Sequence, residues 1–315
     1  MKLAAIDIGT NSTRLLISST IGPYRQDLYR SATITRLGEG LGETGRIKRE
    51  AAERTLSAVE NYVALIREFG VGEVRAVATS AARNAANAKE FKKAFKRKFG
   101  FDFKILTGDE EAKLSFNGAV VESGLTKPGE KALVIDVGGG STELVWGDDS
   151  GIDGHASVDI GSVRLTEAHI KSDPPTEDEL AAVVESTSRA LSPIFVKIDV
   201  RSISKAIAVA GTATTLAAIK HKLELYDPNI VHGSTLTKDD IERMIELFKS
   251  LKTAERALIP GLQSGRADVI TAGALILRTT LIELRLAEFT VSERDILDGI
   301  VGSMLEKRKS ICRGL

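Results

Sequence analysis

Two short segments of this sequence hold the same set of chemically useful residues. Residues 4–15 align without gaps with residues 133–144. In each segment an apolar run ends at an aspartate, Asp7 or Asp136, and a turn of small and hydroxyl residues leads into a second apolar run. This pattern predicts a strand, a tight turn and a second strand. Successive N–H groups in such a turn can form a concave site for an anion. The repeat therefore predicts two like domains that face a shared phosphate cleft.

The first hairpin offers polar groups suited to a phosphate. Thr10, Asn11 and Ser12 form its turn, and Arg14 follows closely. The fork of an arginine suits two parallel contacts to phosphate oxygens. Asp7, at the end of the first strand, is suited to hold a hard cation directly or through water. For this copy alone, an ordinary solvated β-turn is the alternative.

The second hairpin gives a sharper signal. Its turn is formed by Gly138, Gly139 and Gly140, followed by Ser141 and Thr142. Consecutive glycines cost backbone entropy on folding, which indicates that something approaches the main chain closely. The carboxylates of Asp136 and Glu143 flank the turn in sequence and could share one Mg²⁺. The alternative is that Glu143 is a surface residue of the strand.

Two predicted helix starts also carry candidate site residues. Gly211 and Thr212 lie where a strand passes into a helix, and helix N-termini attract anions. Such a pair is otherwise a simple helix cap. Glu110 and Glu111 lie in the first turn of the helix after Thr107. Glu110 occupies the capping-box position, whereas Glu111 points along another face and could orient and deprotonate a water molecule. The alternative is that both only stabilise the helix.

Composition limits the function. The 315 residues suggest two domains. Forty-three basic and 43 acidic residues give a formal net charge of zero, which argues against a general nucleic-acid surface. The single cysteine, Cys312, excludes an internal disulfide framework and fits a reducing compartment.

No apolar stretch is long enough to span a bilayer, and the N-terminus runs straight into the first strand without a signal peptide. We expect a cytoplasmic protein that binds neither nucleic acid nor membrane. The four histidines lack ligand spacing, and we exclude zinc, acyl-transfer and thiol mechanisms.

Hydrophobic period and turn signals predict two ββ–α–β–α modules. Asn87 to Glu90 reads as a capping box that opens a basic helix ending at Gly100. We place the first domain at residues 1–124 and the second at 125–292. A C-terminal helix from about residue 293 has an apolar face that needs a partner, either the first domain or a second subunit. That face consists of Ile296, Leu297, Ile300, Val301, Met304 and Leu305. Further helices are predicted at about 48–69, 107–123, 237–251 and 267–286, and strands at 74–78, 101–106 and 206–210.

Taken together, these motifs resemble the exopolyphosphatase/guanosine pentaphosphate phosphohydrolase family of the sugar kinase–Hsp70–actin superfamily. The resemblance covers nearly the whole chain. It rests on residues 7–14, 78–87, 108–112, 134–143, 161–164, 211–215 and 266–268.

The resemblance implies a fold, a cofactor and residue roles. The fold would be α/β, with two actin-like (ribonuclease H-like) domains around an interdomain cleft. Family members remove terminal phosphate with Mg²⁺ and are usually dimers. By resemblance, Glu111 is the catalytic base, and Asp136 and Glu143 are carboxylates on the metal side. Arg14 and Arg266 match positions that the family uses toward phosphate or nucleotide.

Two departures from the family pattern bear on these expectations. The usual Gly-Leu-Arg-Glu-Gly motif appears here as Asp295–Gly299, which lacks the arginine and has aspartate in place of glutamate. The extra C-terminal helical domains of long family members are also absent from this sequence. Because those domains help hold long polyphosphate, the short form is expected to prefer shorter chains.

The predicted function is Mg²⁺-dependent hydrolysis of terminal phosphate from inorganic polyphosphate, with Glu111 orienting the attacking water. The alternative within the class is hydrolysis of the 5′ γ-phosphate of guanosine pentaphosphate, whose phosphoanhydride suits the same loops. A kinase would need an acceptor pocket, and the family motifs argue against one. A non-catalytic alarmone or polyphosphate sensor would be expected to lack the base or the metal carboxylates, and all three are present here.

Overall fold

The computed structural model describes residues 1–21 and 24–313, and it describes their side chains except those of Ile21 and residues 308–313. The chain divides into two compact units. Unit 1 consists of residues 1–118 and the C-terminal segment from Ile296, and unit 2 consists of Ala119–Asp295. In the described part of the chain, no helix combines the length and the apolarity that crossing a membrane requires.

Unit 1 is built on a five-stranded sheet in the order β3-β2-β1-β4-β5. Strands β1, β2 and β3 pair antiparallel, whereas β4 and β5 run parallel to β1. The strands are β1 (Lys2–Ile8), β2 (Ser12–Ile21), β3 (Tyr24–Ile34), β4 (Glu73–Ala78) and β5 (Phe103–Ile105). The helices are α1 (Leu41–Thr44), α2 (Arg49–Glu68), α3 (Ser80–Asn84), α4 (Ala88–Phe99), α5 (Gly108–Val120) and the C-terminal α13 (Ile296–Arg313).

Both faces of this sheet are covered by helices. Successive side chains of a strand point to opposite faces, and β1 is apolar on both. Ala4, Ile6 and Ile8 belong to a core with residues of α2 and α4. Leu3 and Ala5 pack on the other face with the apolar side of α13. The predicted apolar face of the C-terminal helix is therefore buried against the sheet of unit 1.

Unit 2 is built on a six-stranded sheet in the order β10-β11-β9-β6-β7-β8. The strands are β6 (Ala132–Val137), β7 (Thr142–Asp148), β8 (Gly151–Val158), β9 (Lys205–Val209), β10 (Thr235–Thr237) and β11 (Glu288–Val291). The helices are α6 (Ser162–His169), α7 (Glu177–Phe195), α8 (Ala210–Lys220), α9 (Pro228–Val231), α10 (Lys238–Ser250), α11 (Thr253–Arg256) and α12 (Ile270–Leu284). Short 3₁₀ turns cover Val200–Ser202 and Ser264–Arg266.

The two sheets repeat one topology. In each, a three-stranded antiparallel meander is followed by two strands that run parallel to its first strand, β4 and β5 in unit 1 and β9 and β11 in unit 2. Unit 2 adds only the edge strand β10, which pairs antiparallel with β11. The predicted fold class, α/β with two like domains, is confirmed.

One local prediction is wrong. Asn87 precedes α4 as expected, but its side chain does not cap the helix. Instead its amide makes two hydrogen bonds to the main chain of Ile47, accepting from the N–H at 2.8 Å and donating to the carbonyl at 2.9 Å. The Asn87 side chain therefore bonds to a backbone segment 40 residues away and not to the first turn of α4. The capping box of Thr107 and Glu110 is present, with both of its hydrogen bonds at 3.2 Å.

Candidate functional site

The turn of the first hairpin is closed by a main-chain hydrogen bond. The Gly9 N–H donates to the Ser12 carbonyl at 2.9 Å. The N–H groups of Thr10 and Asn11 donate to no acceptor within the described residues. Such N–H groups at the carboxyl end of a strand form the kind of concavity that binds anions.

A second segment holds this turn in place. The Asn11 carbonyl accepts from the N–H groups of Thr35 at 3.0 Å and Arg36 at 2.9 Å, and the Thr10 carbonyl accepts from Gly38 at 2.9 Å. The side-chain amide of Asn11 is buried, and across residues 1–21 and 24–313 neither of its polar atoms has a hydrogen-bond partner. Leaving a buried polar group unpaired costs about 1–3 kcal/mol. A buried amide of this kind points to a polar ligand at the turn.

The carboxylate of the first hairpin has a cationic neighbour. Asp7 lies directly opposite Arg14 in the strand register. The Nε and Nη2 atoms of Arg14 donate to Asp7 Oδ2 at 3.0 and 2.7 Å. Asp7 is buried, and the Arg14 side chain is 16% exposed. A direct bond from this oxygen to a metal ion would have to displace the guanidinium.

The second hairpin repeats the closure of the first. The Gly138 N–H donates to the Ser141 carbonyl at 3.0 Å. The carbonyls of the glycine turn accept hydrogen bonds from the start of α6, with Gly139 accepting from Val163 at 2.9 Å and Gly140 accepting from Arg164 Nε at 2.9 Å. The N–H groups of Gly139, Gly140 and Ser141 have no acceptor in the part of the chain that the structure describes. With its carbonyls engaged, this turn has N–H groups left that could donate to an anion.

The carboxylates of the second hairpin lie directly opposite each other. Asp136 on β6 is in register with Glu143 on β7, and both are buried. The hydroxyl of Ser157 donates to Glu143 Oε1 at 2.7 Å. Glu143 is therefore not a surface residue of the strand. Two buried like charges at this spacing repel each other unless a cation or a proton compensates them.

This donor set fits a magnesium ion. The described residues contain no group of three or more His, Cys, Asp or Glu side chains placed to hold a metal. However, Mg²⁺ typically takes one or two protein carboxylates and completes its shell with water and phosphate oxygens. Asp136 and Glu143 meet that requirement. Thr142 does not offer its hydroxyl proton, because Oγ1 donates to the Ile160 carbonyl at 2.8 Å.

The start of α8 adjoins the end of β6. Thr212 Oγ1 donates to the Val137 carbonyl at 3.0 Å. Ala210 has a φ of +64°, a conformation that costs a non-glycine residue about 1–2 kcal/mol and that clusters at functional sites. A Cβ atom on Gly211 would lie 2.1 Å from Arg266 Nη1. Only glycine lets the guanidinium of Arg266 lie against this helix start.

Glu111 is held by a residue that the sequence analysis missed. Arg83 Nη1, on α3, donates to Glu111 Oε2 at 2.8 Å and to the Leu106 carbonyl at 3.1 Å. A neighbouring guanidinium favours the ionised form of a carboxylate, which is the form that a base requires. The available signal was the position of Arg83 within residues 78–87, one of the motifs that carry the resemblance.

The candidate residues of each unit lie at one edge of its sheet. Strands β1, β4 and β5 are parallel, so the first turn, Arg83 and Glu111 all follow carboxyl ends at the same edge. In unit 2, β6 and β9 are also parallel, which places the glycine turn and Gly211 at one edge. Ligands of α/β sheets bind at this edge.

The altered motif near the C-terminus has a structural role. Asp298, in α13, is fully buried and pairs with Arg25 and with Arg30 Nη2, whose distances to Oδ1 and Oδ2 are 2.9 and 2.7 Å. Leu297, which replaces the family's arginine, is buried in the core with β1. The motif anchors α13 to the sheet of unit 1.

Fold and loops together define an α/β protein with two hairpin turns whose main-chain N–H groups lack acceptors among the described residues, and with buried carboxylates. The chain belongs to the Ppx/GppA phosphatase family, whose model matches residues 16–308. It is 38% identical over 316 aligned positions to exopolyphosphatase 2 of Mycobacterium tuberculosis, covering 96% of this chain and 98% of that protein. Among solved structures, a family member from Aquifex aeolicus matches with a TM-score of 0.81 and 35% identity over 98% of both chains. An exopolyphosphatase from Cytophaga hutchinsonii matches with a TM-score of 0.89 and 27% identity over 98% of both.

The comparisons confirm the predicted family and the predicted enzyme class, a hydrolase of phosphoanhydride bonds. The roles assigned to Glu111, Asp136, Glu143 and the two loops stay predictions.

Proposed function

We propose that this protein is an exopolyphosphatase that removes the terminal phosphate of inorganic polyphosphate. The observation that carries the proposal is the set of N–H groups in two hairpin turns that find no acceptor within the described residues. These donors suit phosphate oxygens, and binding through them does not require a nucleobase or a sugar in the substrate. The similar proteins of M. tuberculosis and C. hutchinsonii are both named exopolyphosphatases.

The reaction proceeds by attack of water on the terminal phosphorus. Glu111 orients the water and accepts its proton at a carboxylate oxygen, while the shortened polyphosphate leaves. Arg83 fixes the Glu111 carboxylate through the 2.8 Å contact. Phosphoryl transfer has a loose transition state, so donors already aimed at the phosphate oxygens supply most of the stabilisation. The turns and Arg14 provide such donors.

Asp136 and Glu143 would hold a magnesium ion in this proposal. When bound, the ion would neutralise negative charge on the phosphate oxygens. Asp7 is less suited to direct coordination because Arg14 donates twice to Oδ2. We propose that its role is to orient Arg14.

Guanosine pentaphosphate is the alternative substrate. Its 5′ end presents the same phosphoanhydride to the same donors, and the family description joins the Ppx and GppA names. Phosphate release from polyphosphates of defined length and from guanosine pentaphosphate, measured side by side with Mg²⁺, separates the two. A higher kcat/KM on guanosine pentaphosphate would overturn the primary proposal.

Glu111→Gln tests the mechanism. Turnover should fall by a factor of roughly 10² to 10⁴, the usual contribution of a general base, while the melting temperature and polyphosphate binding persist. The matched control is Glu110→Gln, which removes an adjacent carboxylate from the helix cap and should leave kcat unchanged. Normal turnover in a folded Glu111→Gln variant would remove this residue from the mechanism.

The homodimer and the cytoplasmic location also stay predictions. Light scattering on the purified protein, at several concentrations, would test the oligomeric state.

A further inference from the structure

Helix α4 concentrates positive charge in a chain that is neutral overall. Six of its twelve residues are Lys or Arg, and one, Glu90, is acidic. The whole chain has as many acidic as basic residues. The charge on α4 is therefore a local feature of unit 1.

The charged residues lie opposite the buried side of the helix. Ala88, Phe91 and Phe95 face the core. At 100° per residue, four cations of α4 point away from that side, and all four are exposed. We call these four the basic stripe: Lys89, Lys93, Lys96 and Arg97.

The neighbouring lysines have other roles. Lys92, at the margin of the stripe, lies 3.7 Å from Asp102 and 5.6 Å from the centre of the Phe103 ring. Lys98 pairs with Glu60 at 2.8 Å. By contrast, no member of the basic stripe has an acidic partner within 4 Å among the described residues.

Helix stability explains only part of the basic stripe. Lys96 and Arg97 lie in the last turn, where cations are favourable, but Lys89 lies near the start of the helix, where a cation is unfavourable. Like charges three or four residues apart, such as Lys89 and Lys93, destabilise a helix by a few tenths of a kcal/mol per pair. An external anion would relieve this repulsion.

The topology places one end of the basic stripe at the edge that carries Glu111. Strands β4 and β5 are parallel, so α4, between them, runs back along the sheet and begins at the carboxyl edge. Only three residues, 85–87, separate α4 from the helix that bears Arg83. From Lys89 the basic stripe extends about 12 Å away from that edge, at 1.5 Å per residue.

We propose that the basic stripe binds the distal phosphates of a long polyphosphate whose terminal phosphate is at Glu111. The inference rests on the proposed function and extends it to a second contact with the same substrate. It reverses the expectation that the short form prefers shorter chains. Polyphosphate fits better than nucleic acid, because the phenylalanines of α4 pack inward and offer no exposed ring for base stacking.

The test variant is Lys89→Gln/Lys93→Gln/Lys96→Gln. The matched control, Lys127→Gln/Lys197→Gln/Lys222→Gln, removes three exposed charges from unit 2. On long-chain polyphosphate near 0.1 M salt, the test variant should raise KM about a hundredfold. The slope of log KM against log salt should fall by about two, since each lost phosphate contact removes roughly 0.7. Its kcat on long chains and its kinetics on triphosphate should match wild type, as should the control variant in every measurement.

Several results would overturn this proposal. One is an unchanged KM and salt slope on long chains, and another is an equal rise of KM on triphosphate. Inhibition by single-stranded RNA that equals inhibition by an uncleavable polyphosphate of the same phosphate count would mean a general polyanion surface. Direct binding of fluorescent long-chain polyphosphate, measured for wild type and both variants, decides the proposal separately from turnover. If the proposed function is wrong, the wild-type protein will instead bind long chains but release no phosphate from them.

Discussion

The two hairpins have the same backbone hydrogen bond across the turn but differ in charge at one position. In the first, Asp7 faces Arg14 across the strand pair, and in the second Asp136 faces Glu143. Both turns close with the same N–H to carbonyl hydrogen bond, at 2.9 and 3.0 Å. The first pair is neutral and includes a partly exposed guanidinium. The second pair places two buried carboxylates together.

This difference separates two tasks that one scaffold can perform. A neutral pair that includes a partly exposed arginine suits a phosphate oxygen, whereas a pair of carboxylates suits a hard cation. The turns themselves are alike, because both present N–H groups. We therefore expect the residue type at this one position, Arg14 or Glu143, to decide whether a hairpin binds an anion directly or through a cation.

The largest effect is expected when the second hairpin is converted into the first. Glu143→Arg should pair with Asp136 and lower kcat/KM at least 10²-fold at any Mg²⁺ concentration, because the cation site is lost. Because Glu143 is buried, the larger arginine could also disturb folding, so Glu143→Gln is measured beside it as a milder change. Thermal melting followed by circular dichroism shows whether both variants are folded. Phosphate release close to wild type in either folded variant would contradict the metal-side role.

The next test compares the two aspartates. Asp136→Asn should raise the Mg²⁺ concentration for half-maximal phosphate release by about 10- to 100-fold, the range found when groups around a metal are altered. Asp7→Asn should leave that concentration unchanged and raise KM instead, because it releases Arg14. Equal shifts of the Mg²⁺ titration in both variants would show that the hairpins do not divide the tasks.

Much of the fold was predictable from local signals. Helix periods, the glycine stops and the repeated strand–turn–strand pattern depend on neighbours in sequence, and α2, α10 and α12 lie close to their predicted bounds. Asn87 was misread because its partner, Ile47, is 40 residues away.

The candidate site was predictable by residue type but not by partner. Glu111, Asp136 and Glu143 are identifiable in the sequence, yet the ion pair of Glu111 with Arg83 spans 28 residues. Pairing of Asp298 with Arg25 spans 273. Such contacts depend on how strands and helices assemble. The motif at residues 78–87 marks Arg83 in the sequence, but it does not show that Arg83 pairs with Glu111.

A smaller effect is expected from Asn11 in the first turn. Asn11→Ala removes a buried amide that has no hydrogen-bond partner among the described residues. If that amide is present for a phosphate, KM should rise by up to about tenfold, the loss of roughly one hydrogen bond to a charged group. The melting temperature should not fall, because no protein partner is lost. A lower melting temperature with an unchanged KM would assign Asn11 a purely structural role.

The smallest effect should distinguish the backbones of the two turns. A Cβ atom would lie 2.9 Å from the Ser12 carbonyl oxygen at Gly9, and 3.1 Å from that of Ser141 at Gly138. Neither glycine has a positive φ, so alanine gains about 0.4–1 kcal/mol by restricting the unfolded chain. At Gly9 the closer contact should outweigh that gain, and Gly9→Ala should lower the melting temperature by about 2–4 °C, as expected for a net loss near 1 kcal/mol. Gly138→Ala should be near neutral by calorimetry, because a shift of a few tenths of an ångström relieves its contact. A larger loss at Gly138 would mean that the glycine turn tolerates less movement than the first turn, and that the two hairpins differ in backbone as well as in charge.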